Sequence, residues 1–284
     1  MHHPILKGKW GDIIKYNFSQ IDIDDIISKY NSGLSLKKIG LAYNCSSKPI
    51  KRIILDNGGT IRDNSEAIHK YKVNEGYFDQ IDTPSKAYVL GFLYADGCNY
   101  INHKTWVFHW QIILKSDDVD LLEDIKNEVG YTGIVDTKER FAHGRLREYS
   151  RLTVCNRHMC EKLAELGVTP NKTYSLSFPT WMHSALLPHF VRGFFDGDGC
   201  IDKMGHASFA GSESFVRQLS EIIAHTCNLK CNLYQCKQSN CTYQCHMSGK
   251  LNSKIFLDWI YKDADIKMER KYQRYLDAYY KTQT

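Results

Sequence analysis

The sequence predicts an α+β protein, with a small all-α N-terminal domain followed by two similar halves of element order αββαββα. Three observations predict this. A short apolar motif ending in Asp-Gly occurs twice, at Tyr88–Gly97 and Phe190–Gly199. The residues after each copy alternate apolar and polar side chains over strand-length runs, separated by stretches of helical spacing. The first sixty residues show helical periods only, punctuated by capping residues and turns.

In chain order, Ile23, Ile26 and Ile27 make an apolar stripe on a helix over 22–30, which Asn31-Ser32-Gly33 stops. Ser35 caps a second short helix over 36–43, and Asn44-Cys45-Ser46 makes a turn. Ser47 caps a third helix, with Pro49 in its first turn, Ile50, Ile53 and Ile54 inward, and Asn57-Gly58-Gly59 at its end. This reads as a helix-turn-helix whose last helix turns Lys48, Lys51 and Arg52 outward. Between Ser35 and Arg62 stand Lys37, Lys38, Lys48, Lys51, Arg52 and Arg62 against one acid, Asp56, in a chain whose net charge is only +5. Positive charge so concentrated suits a polyanion, and Lys37, Lys48, Lys51, Arg52 and Arg62 are the candidate DNA contacts. Residues 63–80 are polar and read as a linker. The expected domains are 1–75, 76–180 and 181–284.

The repeat sets out the rest. Asp96 and Asp198 stand 102 residues apart. After the first, strands are expected at 98–103 and 105–115, a helix at 117–129, strands at 133–141 and 148–155, and a helix at 157–166. After the second, the same order runs through 200–204, 206–211, 213–226, 230–238, 241–248 and 252–261, and a final helix covers 264–281. Two such halves suggest a pseudo-twofold relation. In the strand 105–115, Trp106, Phe108, Trp110, Ile112 and Leu114 form an apolar face, and His109, Gln111 and Lys115 lie opposite. Gln244 and His246 make a similar polar row opposite Cys245 and Met247. Matched rows of this kind suit a surface that reads base edges.

The motif helices carry the chemistry. Gly91 and Ala95, and Gly193 and Gly197, put small residues on one stripe of each helix, so the two can meet almost backbone to backbone. An interior helical glycine costs on the order of 1 kcal/mol, which implies a packing reason. Each helix ends in an aspartate, the wrong sign for a C-terminus whose dipole is already negative. If the helices pack together, Asp96 and Asp198 converge, which a nearby cation makes tolerable. Hard carboxylate oxygens without adjacent His or Cys point to Mg²⁺, or another divalent ion such as Mn²⁺, rather than zinc.

Composition narrows the setting. The chain is 43% hydrophobic and 24% charged, and no apolar run is long enough for a membrane span. The first residues carry no signal-peptide pattern, so a cytoplasmic protein is expected, nucleoid-associated or in a phage-infected host. Ten cysteines do not make a disulfide framework in a chain of this kind, and the spacings of Cys227, Cys231, Cys236, Cys241 and Cys245 suit alternating strand positions better than a zinc site.

Val89-Leu-Gly-Phe-Leu-Tyr-Ala-Asp96-Gly97 and Val191-Arg-Gly-Phe-Phe-Asp-Gly-Asp198-Gly199 resemble the paired motifs of the LAGLIDADG homing endonucleases. The second copy is the closer match, because the first has Tyr94 where the family often has an acid. The resemblance covers about two hundred residues, from Asp82 onward. It implies a monomer folded as a pseudo-dimer, a curved antiparallel sheet in each half lying in the DNA major groove, and metal held by Asp96 and Asp198 beside the scissile phosphates. It also implies a basic residue near the metal in each half. Lys172, 76 residues after the first acid, and Lys271, 73 after the second, are the candidates, with Lys267 and Arg270 as competitors. The expected activity is a staggered double-strand break in a long duplex target, typical of an intron-borne enzyme. A cleavage-inactive transcriptional regulator and an intron RNA maturase are the alternatives.

Overall fold

A computed structural model describes residues 16, 18–61, 71–142, 145–170, 172, 176–236 and 242–281. The chain divides into two compact units, 1–70 and 71–284.

In the first unit, α1 (Gln20–Asn31), α2 (Leu36–Ala42) and α3 (Ser47–Asp56) close around Ile26, Tyr30, Ile39, Ile50 and Ile54. Helix α1 begins two residues earlier than its apolar stripe indicates, because Ser19 and Asp22 form a reciprocal capping box. The Ser19 hydroxyl accepts from Asp22 N at 3.2 Å, and the Asp22 carboxylate accepts from Ser19 N at 2.9 Å. Ser35 caps α2, accepting from Lys38 N. The cap of α3 is Ser46, not Ser47: Ser46 holds the extended backbone a cap requires, and Ser47 is already helical. Lys37, Lys48, Lys51 and Arg52 are exposed. Arg62 lies outside the described residues.

The second unit opens with α4 (Pro84–Ala95), with Thr83 as its cap and Pro84 in its first turn. There follow β1 (Gly97–Asn102), β2 (Val107–Lys115), α5 (Val119–Glu128), β3 (Asp136–Ala142), β4 (Arg145–Val154) and α6 (Arg157–Glu165). The order repeats in α7 (Leu187–Asp198), β5 (Gly199–Ile201), β6 (Ala207–Ser212), α8 (Glu213–Cys227), β7 (Cys231–Gln235), β8 (Thr242–Met247) and α9 (Gly249–Tyr261), and α10 (Glu269–Tyr279) ends it. The two antiparallel sheets have matching strand orders, β1-β2-β4-β3 and β5-β6-β8-β7.

The alternation of each sheet decides which face is covered. In the first, Trp110 pairs with Val154 and Ile112 with Leu152, and all four are buried beneath the helices. In the second, Phe209 pairs with Cys245, again buried. One continuous core runs through both halves.

Three expectations are corrected. Trp106 does not belong to the apolar face of β2; it sits in the preceding turn at φ +54° and is 68% exposed, so the strand starts at Val107. Residues 71–80 are not a linker, because Tyr77 and Phe78 are buried, Phe78 lies edge-on to Trp110, and Asn74 N donates to Val129 O. Polar neighbours hid that aromatic pair. The last helix begins at Glu269 rather than 264, because the stretch before it spends its backbone on the motif helix instead: Met268 N donates to Asp196 and Ile266 O accepts from Arg192.

Candidate metal centre at the helix seam

Helices α4 and α7 cross at their glycines. A Cβ built on Gly91 would stand 2.0 Å from Phe190 O, and one on Gly193 would stand 2.0 Å from Tyr88 O. Neither position can take a side chain without parting the helices, which is the packing reason the sequence implied. Farther along, a Cβ on Gly197 would meet Ala95 Cβ at 2.3 Å and the Asp96 carboxylate at 3.3 Å. The seam residues Gly91, Ala95, Gly193 and Gly197 are therefore brought together, and Asp96 lies against the residue that precedes Asp198.

Asp96 and Asp198 are exposed residues whose carboxylates are nonetheless crowded by protein atoms. Partial desolvation pushes the Asp198 carboxyl up to about 6, with the Asp96 charge as the next cause, while Lys172 and Lys271 pull it down. Asp96 is also raised, first by desolvation, against Lys271, Lys172 and Arg270. Two exposed acids that repel one another are a candidate cation site by their chemistry. Among the described residues no third His, Cys, Asp or Glu joins them.

Lys172 and Lys271 both arrive at this place, but as caps. Lys172 Nζ donates to Ala95 O at 2.8 Å. Lys271 Nζ donates to the carbonyls of Phe195, Gly197 and Gly199 at 2.8, 3.0 and 2.5 Å. Each ammonium thus offsets the negative end of a motif helix that also carries an aspartate. Burial lowers both, Lys271 to about 8, with the surrounding aspartates opposing. Of the competitors, Lys267 donates only to Asp265 O, whereas Arg270 Nε bonds both oxygens of Asp118, at 2.8 and 2.9 Å. Asp118 is buried and belongs to the first half, so this pair ties the halves together beside the acids.

Sequence reasoning missed the supports behind the seam. Asp196 is fully buried and accepts from Tyr88 Oη, Tyr261 Oη and Met268 N at 2.8, 2.7 and 2.8 Å. Tyr94, its counterpart in the first motif, donates instead to Leu166 O. Gly167 follows at φ +102°, and a Cβ there would strike the Tyr94 hydroxyl at 2.5 Å, so only glycine fits. Asn99 donates to Cys160 O and Val168 O, fixing the chain that leads to Lys172. No spacing announces these bonds, since every partner is far away in sequence.

On the open sheet faces, His109 and Gln111 are half-buried and Lys115 is exposed; Gln244 is exposed and His246 half-buried. His109 stacks on Tyr100, and its ring is held below its usual pKa by burial and then by the Arg151 charge. The same face carries basic side chains that were not singled out, Lys138 and Arg140 on β3 and Arg145, Arg147 and Arg151 on β4. Their two-residue spacing was visible, but β4 was expected to begin only at 148. Cys227, Cys231, Cys236 and Cys245 are all free thiols, and Cys241 lies outside the described residues.

No family model matches the sequence, and no curated protein matches it. Solved structures do match. The homing endonuclease I-WcaI, bound to its DNA recognition sequence, is 16% identical with a TM-score of 0.50, over 76% of this chain and 96% of its own. I-DmoI in complex with DNA and Mn is 15% identical at a TM-score of 0.45, over 64% and 98%. A variant of I-SmaMI is 13% identical at 0.45, over 69% and 90%. At such identities the likeness speaks for the fold alone, and over 76% of its length this chain has the fold of the homing endonuclease I-WcaI.

Proposed function

We propose that this protein is a site-specific DNA endonuclease of the LAGLIDADG homing class, dependent on Mg²⁺ or a similar divalent ion, which leaves a staggered double-strand break in a long duplex target. The observation that carries the reading is the seam: two copies of one motif, crossing at Gly91 and Gly193, bring Asp96 and Asp198 close enough to repel one another at the protein surface. The similarity to I-WcaI supports it at the level of fold.

The donor set fits a hard divalent ion, because two carboxylate oxygens leave the remaining positions to water and phosphate, as Mg²⁺ prefers. When bound there, such an ion would polarise the scissile phosphate and favour ionisation of a water. The chain's own residues do the rest. Asp96 and Asp198 set the ion's place, the glycine crossing sets their separation, and Lys172 and Lys271 add positive charge where phosphate charge must be met. We further read the halves 76–180 and 181–284 as related by a pseudo-twofold axis, one serving each strand, in a monomer. The 1–70 unit is read as a helix-turn-helix that adds affinity through linked binding. An intron-borne cytoplasmic enzyme is the setting this implies.

The test is incubation of the full chain with a random duplex library and Mg²⁺. One cleaved sequence family is expected, and Asp198→Asn should abolish cutting while keeping binding, since it removes charge but little volume. A library that is bound yet never cut would overturn the nuclease reading and favour a regulator.

A further inference from the structure

The two open sheet faces share one strand order and differ in chemistry. On the outer strands of the first sheet, Asp136 faces Arg151, Lys138 faces Tyr149, and Arg140 faces Arg147, with Arg145 beyond them. Asp136 is the one acid in that group; it holds Arg151 at 2.9 Å and Lys138 at 3.0 Å. Among the described residues no ion pair engages Arg140, Arg145 or Arg147. Ile113, Asp136, Lys138, Arg140, Tyr149 and Arg151 line a shallow recess there. The corresponding outer strands of the second sheet set Asn232 opposite His246 and Tyr234 opposite Gln244. Among the described residues the paired strand positions of that face carry no lysine, arginine or carboxylate, and Lys230 and Asp202 stand only at its margins. The His246 ring meets Gln244 Oε1 at 3.3 Å and Tyr234 edge-on, and Asn232 donates to Ser248 Oγ at 3.1 Å.

In a major groove these sets read different bases. Guanidinium forks pair with guanine O6 and N7, a carboxylate accepts from cytosine N4, and side-chain amides pair with adenine N6 and N7. Asp136 decides between base and backbone as the ligand of the first set. A carboxylate amid the arginines would repel a phosphate, but it complements the cytosine amino group opposite a guanine. It also holds Arg151 in place beforehand, which reduces the ordering cost of a bidentate contact.

We propose that the two halves read chemically unlike half-sites: a G·C-rich one through Asp136, Arg140, Arg147 and Arg151, and an A·T-rich one through Asn232, Gln244 and His246. This rests on the preceding reading only insofar as the sheets face duplex DNA. The first sheet then supplies most of the salt-sensitive affinity, and the second discriminates with little net charge.

The experiment is selection of bound duplexes from a random pool by the full chain in EDTA, so that no cleavage is needed. The expected result is an asymmetric site with one G·C-rich and one A·T-rich half. Arg140→Gln, at an exposed position, should relax preference in the G·C half alone. Gln244→Leu should relax the A·T half alone. Halves of equal composition, or a Gln244→Leu effect in the G·C half, would overturn the inference. Selection of an asymmetric site that the protein then fails to cut with Mg²⁺ would sink the nuclease reading and leave this one standing. No enriched sequence at all would sink both.

Discussion

Helix α4 ends with one lysine bond, from Lys172 to Ala95 O, and with Tyr94 reaching Leu166 O. Helix α7 ends with three bonds from Lys271 and with Asp196, which gathers three donors of its own. Both ends present an aspartate and a lysine, yet the second is held by a buried network and the first by single contacts. Arg192 extends that network, donating to Ile266 O and Ile260 O from a site only 1% exposed. A buried polar network is stiff while every member is satisfied and costly once one is removed. The difference therefore separates two jobs that the paired motifs make look alike. Lys271 is committed to holding its helix end together, and Lys172 has more donor capacity left for a ligand.

The largest effect tests the part of the comparison that should be symmetric. Gly193→Ala and Gly91→Ala each put a methyl 2.0 Å from a carbonyl oxygen of the facing helix. Each should cost about 3 kcal/mol or more, by urea unfolding, and by similar amounts. A loss at one glycine and none at the other would break the symmetry of the crossing.

The lysines test the asymmetry. Lys271→Met removes three hydrogen bonds, although Phe195 O keeps its bond from Gly199 N, and Lys172→Met removes one. An unpaired buried acceptor costs about 1–3 kcal/mol, so the first variant should be less stable than the second by at least about 1 kcal/mol. Lys172→Met should lose cleavage rate with the smaller shift of the two in unfolding midpoint. Equal stability losses would mean that the extra bonds of Lys271 do no structural work.

The smallest effect is read in pH. Asp198 lies at about 6, above its ordinary 3.8, so in metal-free protein its contribution to stability is present below the ordinary value and is lost as pH rises through about 6. A bound cation reverses this, because it requires the ionised form. The rise in Tm on adding Mg²⁺ should therefore be larger at pH 8 than at pH 5, and Asp198→Asn should flatten that dependence. A Mg²⁺ effect independent of pH would remove Asp198 from the metal site.

Much of this was legible because it is local or periodic. Ser35 as a cap, the 3.6-residue stripe of α3, the alternation of Phe108, Trp110, Ile112 and Leu114, and the small residues of the two motifs each depend on neighbours a few positions away. Element ends were less legible. Met268, Trp106 and Phe78 do what distant partners require, and their local surroundings point the other way.

The sequence by itself determined that two copies of a helix would end in aspartate, and that each would carry small residues able to make a seam, since motif and spacing are properties of the chain. Tertiary structure alone decided that Lys172 and Lys271 cap those helices, that Asp196 is a buried anchor and Asp198 an accessible acid although only Gly197 separates them, and that Asp118 of one half grips Arg270 of the other. The physical reason is the same in each case. A carboxylate's role depends on which donors surround it and whether solvent reaches it, and both are settled by segments some seventy to one hundred and fifty residues away.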